Sequence, residues 1–513
     1  MTPDTVPGLL RHSAGQYGDH PAIVDGDRTL SYRGLDHAAH QAAAALLAAG
    51  IAPGDRVAVW CPNRWEFAVA LLGAECLGAS LVPLNTRYKG HEARAILARA
   101  RASALFVANG FLGIDYLGLL HDAGGPPPDL RLVVDVAAPR SATGVLSWED
   151  FLAGADEVLH EDVDAAIAAV TPDTVCDVLF TSGTTGEPKG VMSSHRQTVG
   201  VAAQWARGAR LGPEDRYAVV NPFFHSFGYK AGLVAALTRG TTVHPVPTFD
   251  PAGLMELIER ERVTVLPGAP TIFTTLLDHP DRERFDLSSL RFAVAGATSV
   301  PDRLFEDMID VLGFESVGQA YGLTECVLAT QSRPGEDPRH VATTTGPAVP
   351  GMEVRLADDG EILLRGDHVM LGYFEDPRAT RAAIDTDGWL HTGDVGSLDE
   401  HGCLAITDRI KDVVIVGGFT VYPGEVEKAL SRHPAVAECA VVGVPDERLG
   451  AVCHAYVVAR AGADVDTAGL LALARERLAN FKVPRQVTLV PGLPRNAAGK
   501  VRKQDLQKEP VAD

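Results

Sequence analysis

This chain has no paired cysteines, no long apolar run and no excess of basic residues. Its seven cysteines, Cys61, Cys76, Cys176, Cys326, Cys403, Cys439 and Cys453, are scattered, with no Cys-x-x-Cys pair and no zinc spacing. An odd, dispersed set of this kind suits a reducing compartment, and a cytoplasmic setting is expected. The net charge of -20 argues against nucleic acid or an anionic membrane as a general partner. Met1 to His20 lacks a basic segment followed by an apolar core, so no signal peptide is expected. The most apolar stretch, Phe67 to Leu84, is interrupted by Glu75 and Pro83 and reads as a buried helix and strand rather than a membrane span.

What remains is the composition of a soluble globular protein, 46% hydrophobic and 22% charged. At 513 residues the chain is too long for one ordinary core, so two or more domains are expected. The first half alternates helical and strand patterns. Arg33 to Ala49 has apolar residues at helical spacing, Arg56 to Trp60 reads as a strand, Phe67 to Gly78 as a helix and Ser80 to Leu84 as a strand. Pro251 to Arg262 then reads as a helix and Val263 to Leu266 as a strand. Such alternation predicts an α/β fold with mostly parallel sheets flanked by helices. A boundary is expected near Asp408 to Lys411. Beyond it, Val413 to Gly418 restarts a strand, Glu425 to Ser431 is a helix and Cys439 to Val444 another strand, enough for a small α+β domain. Between Asn480 and Lys508 seven basic residues face Asp505 alone. Such a tail is either a solvated face or a surface that meets anionic ligands, and the motif at its centre favours the second.

Residues 180 to 190 read Phe-Thr-Ser-Gly-Thr-Thr-Gly-Glu-Pro-Lys-Gly. Small hydroxyl residues and glycines offer many donors without bulk, as polyphosphate binding requires. The loop is not a Walker A motif, because Lys189 lies between Pro188 and Gly190. Further on come Tyr321-Gly322-Leu323-Thr324-Glu325, Gly388-Trp389-Leu390-His391-Thr392-Gly393-Asp394, Asp408-Arg409-Ile410-Lys411-Asp412, Gly417-Gly418-Phe419-Thr420-Val421-Tyr422-Pro423 and Pro494-Arg495-Asn496-Ala497-Ala498-Gly499-Lys500. In this order and over nearly the whole chain, the set resembles the adenylate-forming superfamily of acyl-CoA synthetases, luciferase-like enzymes and peptide-synthetase adenylation domains.

The resemblance implies a two-step reaction, in which a carboxylic acid and Mg-ATP give an acyl-adenylate and pyrophosphate, and a nucleophile then displaces AMP. ATP and Mg2+ are the implied cofactors, with CoA as co-substrate. It also implies an adenylation domain over 1–408, a hinge over 409–411 with Lys411 at its centre, and a mobile lid over 412–513. Thr181, Ser182, Gly183, Thr184, Thr185 and Lys189 would hold phosphates. Thr324 would donate to the α-phosphate and Glu325 would hold Mg2+. Tyr321 would stack on adenine beside Gly296 and Ala297, and Asp394 would accept the ribose hydroxyls with Arg409 near. Lys500 would bridge the carboxylate and the α-phosphate. Gly417 and Gly418 would leave room for a thin acceptor chain. Taken alone, Thr-Glu is equally a helix cap, Thr-Gly-Asp a turn and Cys326 a buried structural thiol.

His225 stands in Asn221-Pro222-Phe223-Phe224-His225-Ser226-Phe227-Gly228-Tyr229-Lys230, where the family's CoA ligases border the acyl group. Phe224, Ser226, Tyr229 and Lys230 are the candidate acyl pocket. Lys230 would either reach a polar group of the acid or snorkel to solvent. Ser226 occupies a place where amino-acid-activating domains carry Asp, which disfavours an α-amino acid. Where the family often has Leu-Gly-Glu, this chain has Leu449-Gly450-Ala451. The segments Asn221 to Gly232, Pro83 to Tyr88 and Phe285 to Phe292 resemble hydrindanone-propanoate CoA ligases and coronafacic acid ligases. An acyl-CoA ligase for a compact bicyclic or aromatic acid is expected, as a monomer or homodimer. A CoA-independent amide ligase, a carrier-protein acceptor and a non-catalytic binding protein are the alternatives.

Overall fold

The structure, a computed structural model, describes residues 3–181, 188–296, 303–409, 412–416, 419–446, 448–496 and 500–507. Among them, eight strands form a central sheet in the order Gly372–Tyr373, Lys189–Ser194, Val175–Thr181, Ser80–Pro83, Arg56–Trp60, Ala104–Val107, Leu132–Asp135 and Leu146–Ser147. From Val175–Thr181 onward, neighbours run parallel. Lys189–Ser194 and Gly372–Tyr373 are antiparallel additions at the other edge. Ser80–Pro83 and Ala104–Val107 are buried at every position, as strands covered on both faces must be. The helix Trp65–Cys76 is apolar all round and buried from Glu66 onward, so it sits inside the core rather than on its surface. The alanine-rich helix Tyr32–Ala48, capped by Ser31, packs against it.

A second sheet carries Arg216–Val219, Thr242–Pro245, Pro21–Asp25 and Arg28–Ser31. The strand expected at Val263 to Leu266 is reduced to single bridges from Val265 to Tyr217 and Phe292. The chain reaches Pro267 directly afterwards, and proline has no N–H to extend a ladder. These bridges join the sheet to the parallel pair Phe292–Val294 and Ser316–Gly318. An antiparallel sheet follows, in the order Met352–Leu356, Glu361–Gly366, Leu390–Leu398 and Leu404–Arg409.

From Val414 on, five described strands form a separate sheet with Gly450–Ala459 at its centre. The helices Pro423–Leu430 and Thr467–Arg477 contribute Val426, Leu430, Leu470 and Ala474 to its core. The described members of that core begin at Val414, and those of the largest upstream core end at Leu404. Among the described residues, contacts that tie the parts together include the following. The Gly424 N–H donates to Asp408 Oδ2 at 2.6 Å, and Arg460 lies 3.9 Å from Asp278. Lys411, the expected hinge residue, lies outside the described residues. Among the described residues, no helix is long and apolar enough to cross a membrane.

Candidate active site

Four pieces of backbone carry the site. The first is the hairpin of Ala320–Leu323 and Cys326–Gln331, which places Thr324 and Glu325 at its turn. The Thr-Glu pair is therefore a strand connection and not a helix cap. The hairpin closes tightly because residue 322 is glycine. A Cβ there would stand 2.1 Å from the Val327 carbonyl oxygen, which no side chain permits. Cys326 is fully buried, and burial pushes its thiol up to about 12, which leaves an inert thiol.

The second piece is a bulge in Leu390–Leu398. Glu361 pairs with Val395 but Leu363 with His391, so residues 392 to 394 bulge out of the ladder with Glu361–Gly366. Gly393 has φ +70°, and Asp394 is turned toward the hairpin. The Tyr321 hydroxyl donates to Asp394 Oδ2 at 2.7 Å, and both residues are buried. Burial, with the charge of Asp394, raises the Tyr321 phenol far above its ordinary value, so it remains a donor. An aromatic ring is thus fixed edge-on to a carboxylate, an arrangement suited to a base and a neighbouring sugar. Gly296 lies beside the hairpin, where a Cβ would make an ordinary 3.6 Å contact with the Ala320 carbonyl oxygen. Arg409 is the cross-strand neighbour of Asp394. Ala297 lies outside the described residues.

The third piece is the ribbon of Val175–Thr181 and Lys189–Ser194. Thr181 and Lys189 pair at its open end and bracket the glycine-rich loop, and the Thr181 hydroxyl donates to the Lys189 carbonyl at 3.5 Å. Ser182, Gly183, Thr184 and Thr185 lie outside the described residues. The Lys189 ammonium sits 5.0 Å from the Tyr373 ring centroid, and the Tyr373 hydroxyl donates to Glu325 Oε1 at 2.8 Å. Among the described residues, no hydrogen bond is made to Glu325 Oε2. A half-exposed carboxylate with one oxygen uncommitted is a donor of the type a hard cation takes.

The fourth piece is residues 219 to 226, pinned by Asn63. Its amide donates to the carbonyls of Val219 at 2.9 Å and Asn221 at 3.0 Å, while its Oδ1 accepts the Phe223 N–H at 2.6 Å. His225 follows. Its Nδ1 accepts the Phe227 N–H at 3.2 Å, so in the neutral ring the proton sits on Nε2. The residue is exposed to solvent, while crowding by the surrounding protein and the Lys500 charge lower its pKa to about 4. His225 is therefore a neutral Nε2–H donor. Lys500, from the far end of the chain, lies near enough for its charge to act on this ring. The Lys500 backbone is held by Asn496, whose Oδ1 accepts the Lys500 N–H at 2.9 Å and whose N–H donates to the Lys500 carbonyl at 2.8 Å.

Phe224 is half-buried against the main core, and Ser226 is buried at the start of the π-helical turn Phe227–Val234. Tyr229 and Lys230 depart from the sequence expectation, because two buried carboxylates capture their polar atoms. Lys230 is 1% exposed and pairs with Asp177 at 3.0 Å and Ser193 at 2.8 Å, so it does not snorkel to solvent. The Tyr229 hydroxyl donates to Glu75 Oε1 at 2.5 Å, beside the Cys176 thiol. Burial raises Glu75 to about 8. Gly417, Gly418 and Lys411 lie outside the described residues, so the acceptor tunnel and hinge add nothing to this geometry. Asn63, Asp177 and Tyr373 were not singled out in the sequence, and Glu75 was noted only as a break in an apolar stretch. Asp177 and Glu75, charged residues inside apolar segments, carried a readable signal, whereas Asn63 and Tyr373 carried none.

The fold and this cleft define an enzyme that activates acids through nucleotides, and comparison agrees. Residues 10–374 match the AMP-binding enzyme family and residues 425–500 its C-terminal domain. The chain belongs to the AMP-binding enzyme family and is an adenylate-forming ligase. It is 52% identical over 510 residues to the 3-[(3aS,4S,7aS)-7a-methyl-1,5-dioxo-octahydro-1H-inden-4-yl]propanoyl:CoA ligase of Rhodococcus jostii, covering 99% of each chain. Among solved structures it is similar to an anthranilate CoA ligase bound to anthranoyl-AMP, at 27% identity and TM-score 0.87, covering 98% of this chain and 96% of that one. It is also similar to the amide bond synthetase McbA of Marinactinospora thermotolerans, at 29% identity and TM-score 0.84, covering 98% of this chain and 99% of the other.

Proposed function

We propose that this protein joins a compact bicyclic acid of the methyl-dioxo-octahydroindenyl propanoate type to CoA through an acyl-adenylate. The observation behind the chemistry is the Tyr321–Asp394 pair on the hairpin whose turn carries Thr324 and Glu325, with the Lys500 charge near enough to act on His225. The acid is proposed from the 52% identity with the Rhodococcus ligase over the full length. A carboxylate must approach an α-phosphate of the same sign, so catalysis requires fixed positive charge and donors where charge shifts. In this reading Tyr321 stacks on adenine and Asp394 accepts the ribose hydroxyls. Thr324 and Lys500 meet the α-phosphate, and His225 offers Nε2–H to the acid carboxylate. Glu325 Oε2 would hold Mg2+, which neutralises phosphate charge when bound.

In the first step the carboxylate oxygen bonds to the α-phosphorus and pyrophosphate leaves. In the second the CoA sulfur bonds to the acyl carbon, AMP leaves and the thiol proton is released. His225 Nδ1 is occupied by the Phe227 N–H, so His225 serves as a donor and not as the base for that thiol. Residues 409–411 are the proposed hinge between the adenylation and lid domains, and Gly417 and Gly418 the proposed acceptor passage.

The test is mass spectrometry of protein, Mg-ATP and a panel of bicyclic, aromatic and long-chain acids, with CoA and amino acids both present. A bicyclic acyl-CoA supports the proposal, and preference for long-chain acids overturns the assigned acid. The similarity to an amide bond synthetase keeps one competing acceptor in view. An acyl amide formed equally well without CoA would move the function to that reading.

A further inference from the structure

Tyr373 touches both charged groups that flank the expected phosphate site. Its hydroxyl donates to Glu325 Oε1 at 2.8 Å, and its ring carries the Lys189 ammonium 5.0 Å from the centroid. The ring is 9% exposed, while Glu325 and Lys189 are half-exposed toward the cleft. Lys189 leaves the glycine-rich loop and Glu325 sits on the hairpin turn, so the sequence gives no local restraint on their separation.

Tyr373 itself is held firmly. Its strand, Gly372–Tyr373, is an edge addition to the central sheet, with Tyr373 opposite Val191 and Gly372 opposite Met192. The Phe374 N–H donates to the Gly190 carbonyl at 2.7 Å, and the Tyr373 N–H donates to Thr380 Oγ1 at 2.9 Å. Gly372 makes this approach possible. Its φ is +143°, and a Cβ would stand 2.8 Å from Thr380 Cγ2. The Met370 N–H donates to the Glu325 carbonyl at 2.8 Å, so the same segment also fixes the Glu325 backbone.

We propose that Tyr373 is a positioning residue for the adenylation step, holding Glu325 through its hydroxyl and Lys189 on its ring face, so that one rigid side chain sets the spacing between the metal-binding carboxylate and the phosphate-binding cation. This rests on the reading of Glu325 as the carboxylate that holds the divalent cation. A hydrogen bond to one carboxylate oxygen orients the other, and groups that orient metal ligands are worth about 10- to 100-fold in metal affinity. A cation over an aromatic face is held without consuming any of its donors, so all three ammonium protons of Lys189 stay available to phosphate oxygens.

The experiment compares the wild type with Tyr373→Phe, Tyr373→Leu and Glu325→Gln. One readout is Mn2+ binding to the complex of enzyme with a non-hydrolysable ATP analogue, followed by electron paramagnetic resonance. The others are metal-free analogue affinity, Mg2+ dependence of pyrophosphate exchange and melting temperature. Tyr373→Phe keeps the ring, so Mn2+ affinity should fall about tenfold while metal-free nucleotide affinity changes less than about twofold. Tyr373→Leu should lower both. Glu325→Gln should lose Mn2+ affinity by more than Tyr373→Phe. If Tyr373→Phe binds Mn2+ like the wild type while Glu325→Gln does not, the positioning role is wrong. If Glu325→Gln also binds normally, the assignment of Glu325 as metal carboxylate fails instead. A Tyr373→Phe protein with a lower melting temperature but unchanged Mn2+ affinity would reduce Tyr373 to a packing residue and overturn the proposal.

Discussion

Lys500 and Glu75 show how differently two charged side chains act in one domain pair. Lys500 is exposed and close enough to His225 for its charge to lower the imidazole pKa. Removing one preorganised donor at a developing charge costs about 10²- to 10³-fold. Lys500→Ala should slow acid-dependent pyrophosphate exchange by that amount and leave CoA transfer from supplied acyl-adenylate largely intact. Equal loss of both half-reactions would contradict the role. Glu75 is fully buried, its Oε2 has no hydrogen-bond partner among the described residues, and burial raises it to about 8. An acid whose folded pKa is raised binds its proton more tightly folded than unfolded, so stability falls as pH rises from the ordinary value of 4.5 to about 8. Glu75→Gln keeps the shape and removes the ionisation. It should flatten the decline in melting temperature over that window and make the variant the more stable protein at about pH 9. A wild type whose melting temperature does not fall relative to the variant would show that Glu75 ionises freely. Lys500 was readable in the sequence because its flanking motif is specific. The interior ends of Tyr229 and Lys230 were not readable, because Glu75 and Asp177, their partners, lie far from them in the chain.

At the scale of elements, the short helix Pro338–Val341 is clamped to the turn before Leu404 through His340. Its Nδ1 meets Glu336 at 2.6 Å and its Nε2 meets Asp399 at 2.9 Å, so both nitrogens donate when the ring is protonated. With Cys403 these residues include a set that could hold a metal ion. The Asp399 hydrogen bond raises His340 above its ordinary value of 6.5, however, and His340 lowers Asp399 to about 2, so the carboxylates favour the protonated ring. The stabilisation from His340 is fully present below pH 6.5 and fades as pH rises through its raised pKa. His340→Gln should therefore lower the melting temperature at about pH 6 more than at about pH 9. An equal drop at both would mean the clamp is not ionic. Local pattern placed most of the elements it named within a few residues, as with the short apolar run Arg56–Trp60 and the helical period of Pro251–Glu261. It did not reveal that Thr324-Glu325 is a hairpin turn or that Thr392-Gly393-Asp394 is a bulge, because pairing partners decide both.

Across the whole molecule, few described contacts join the last hundred residues to the rest. Arg460 and Asp278 approach to 3.9 Å with both side chains exposed, and such pairs are worth about 0–1 kcal/mol. Asp278→Ala should change pyrophosphate exchange by less than about fivefold, since 1 kcal/mol is a factor of five. A larger loss would mean that this pair selects the arrangement in which Lys500 enters the cleft. The Asp408 to Gly424 hydrogen bond lies beside the proposed hinge and is the tighter link, with the start of the helix Pro423–Leu430 fixed to the end of the strand Leu404–Arg409.

By itself the sequence determined the class of chemistry, the order of the functional segments and the α/β architecture, because these rest on short motifs and on hydrophobic period, both local properties of the chain. Only the tertiary structure decided which of those segments meet. It set Tyr321 on Asp394, brought the Lys500 charge within range of His225, drew Lys230 inward to Asp177 and placed Tyr373 between Lys189 and Glu325. Each of these contacts joins residues far apart in sequence, and their geometry depends on how sheets, bulges and buried charges pack around them.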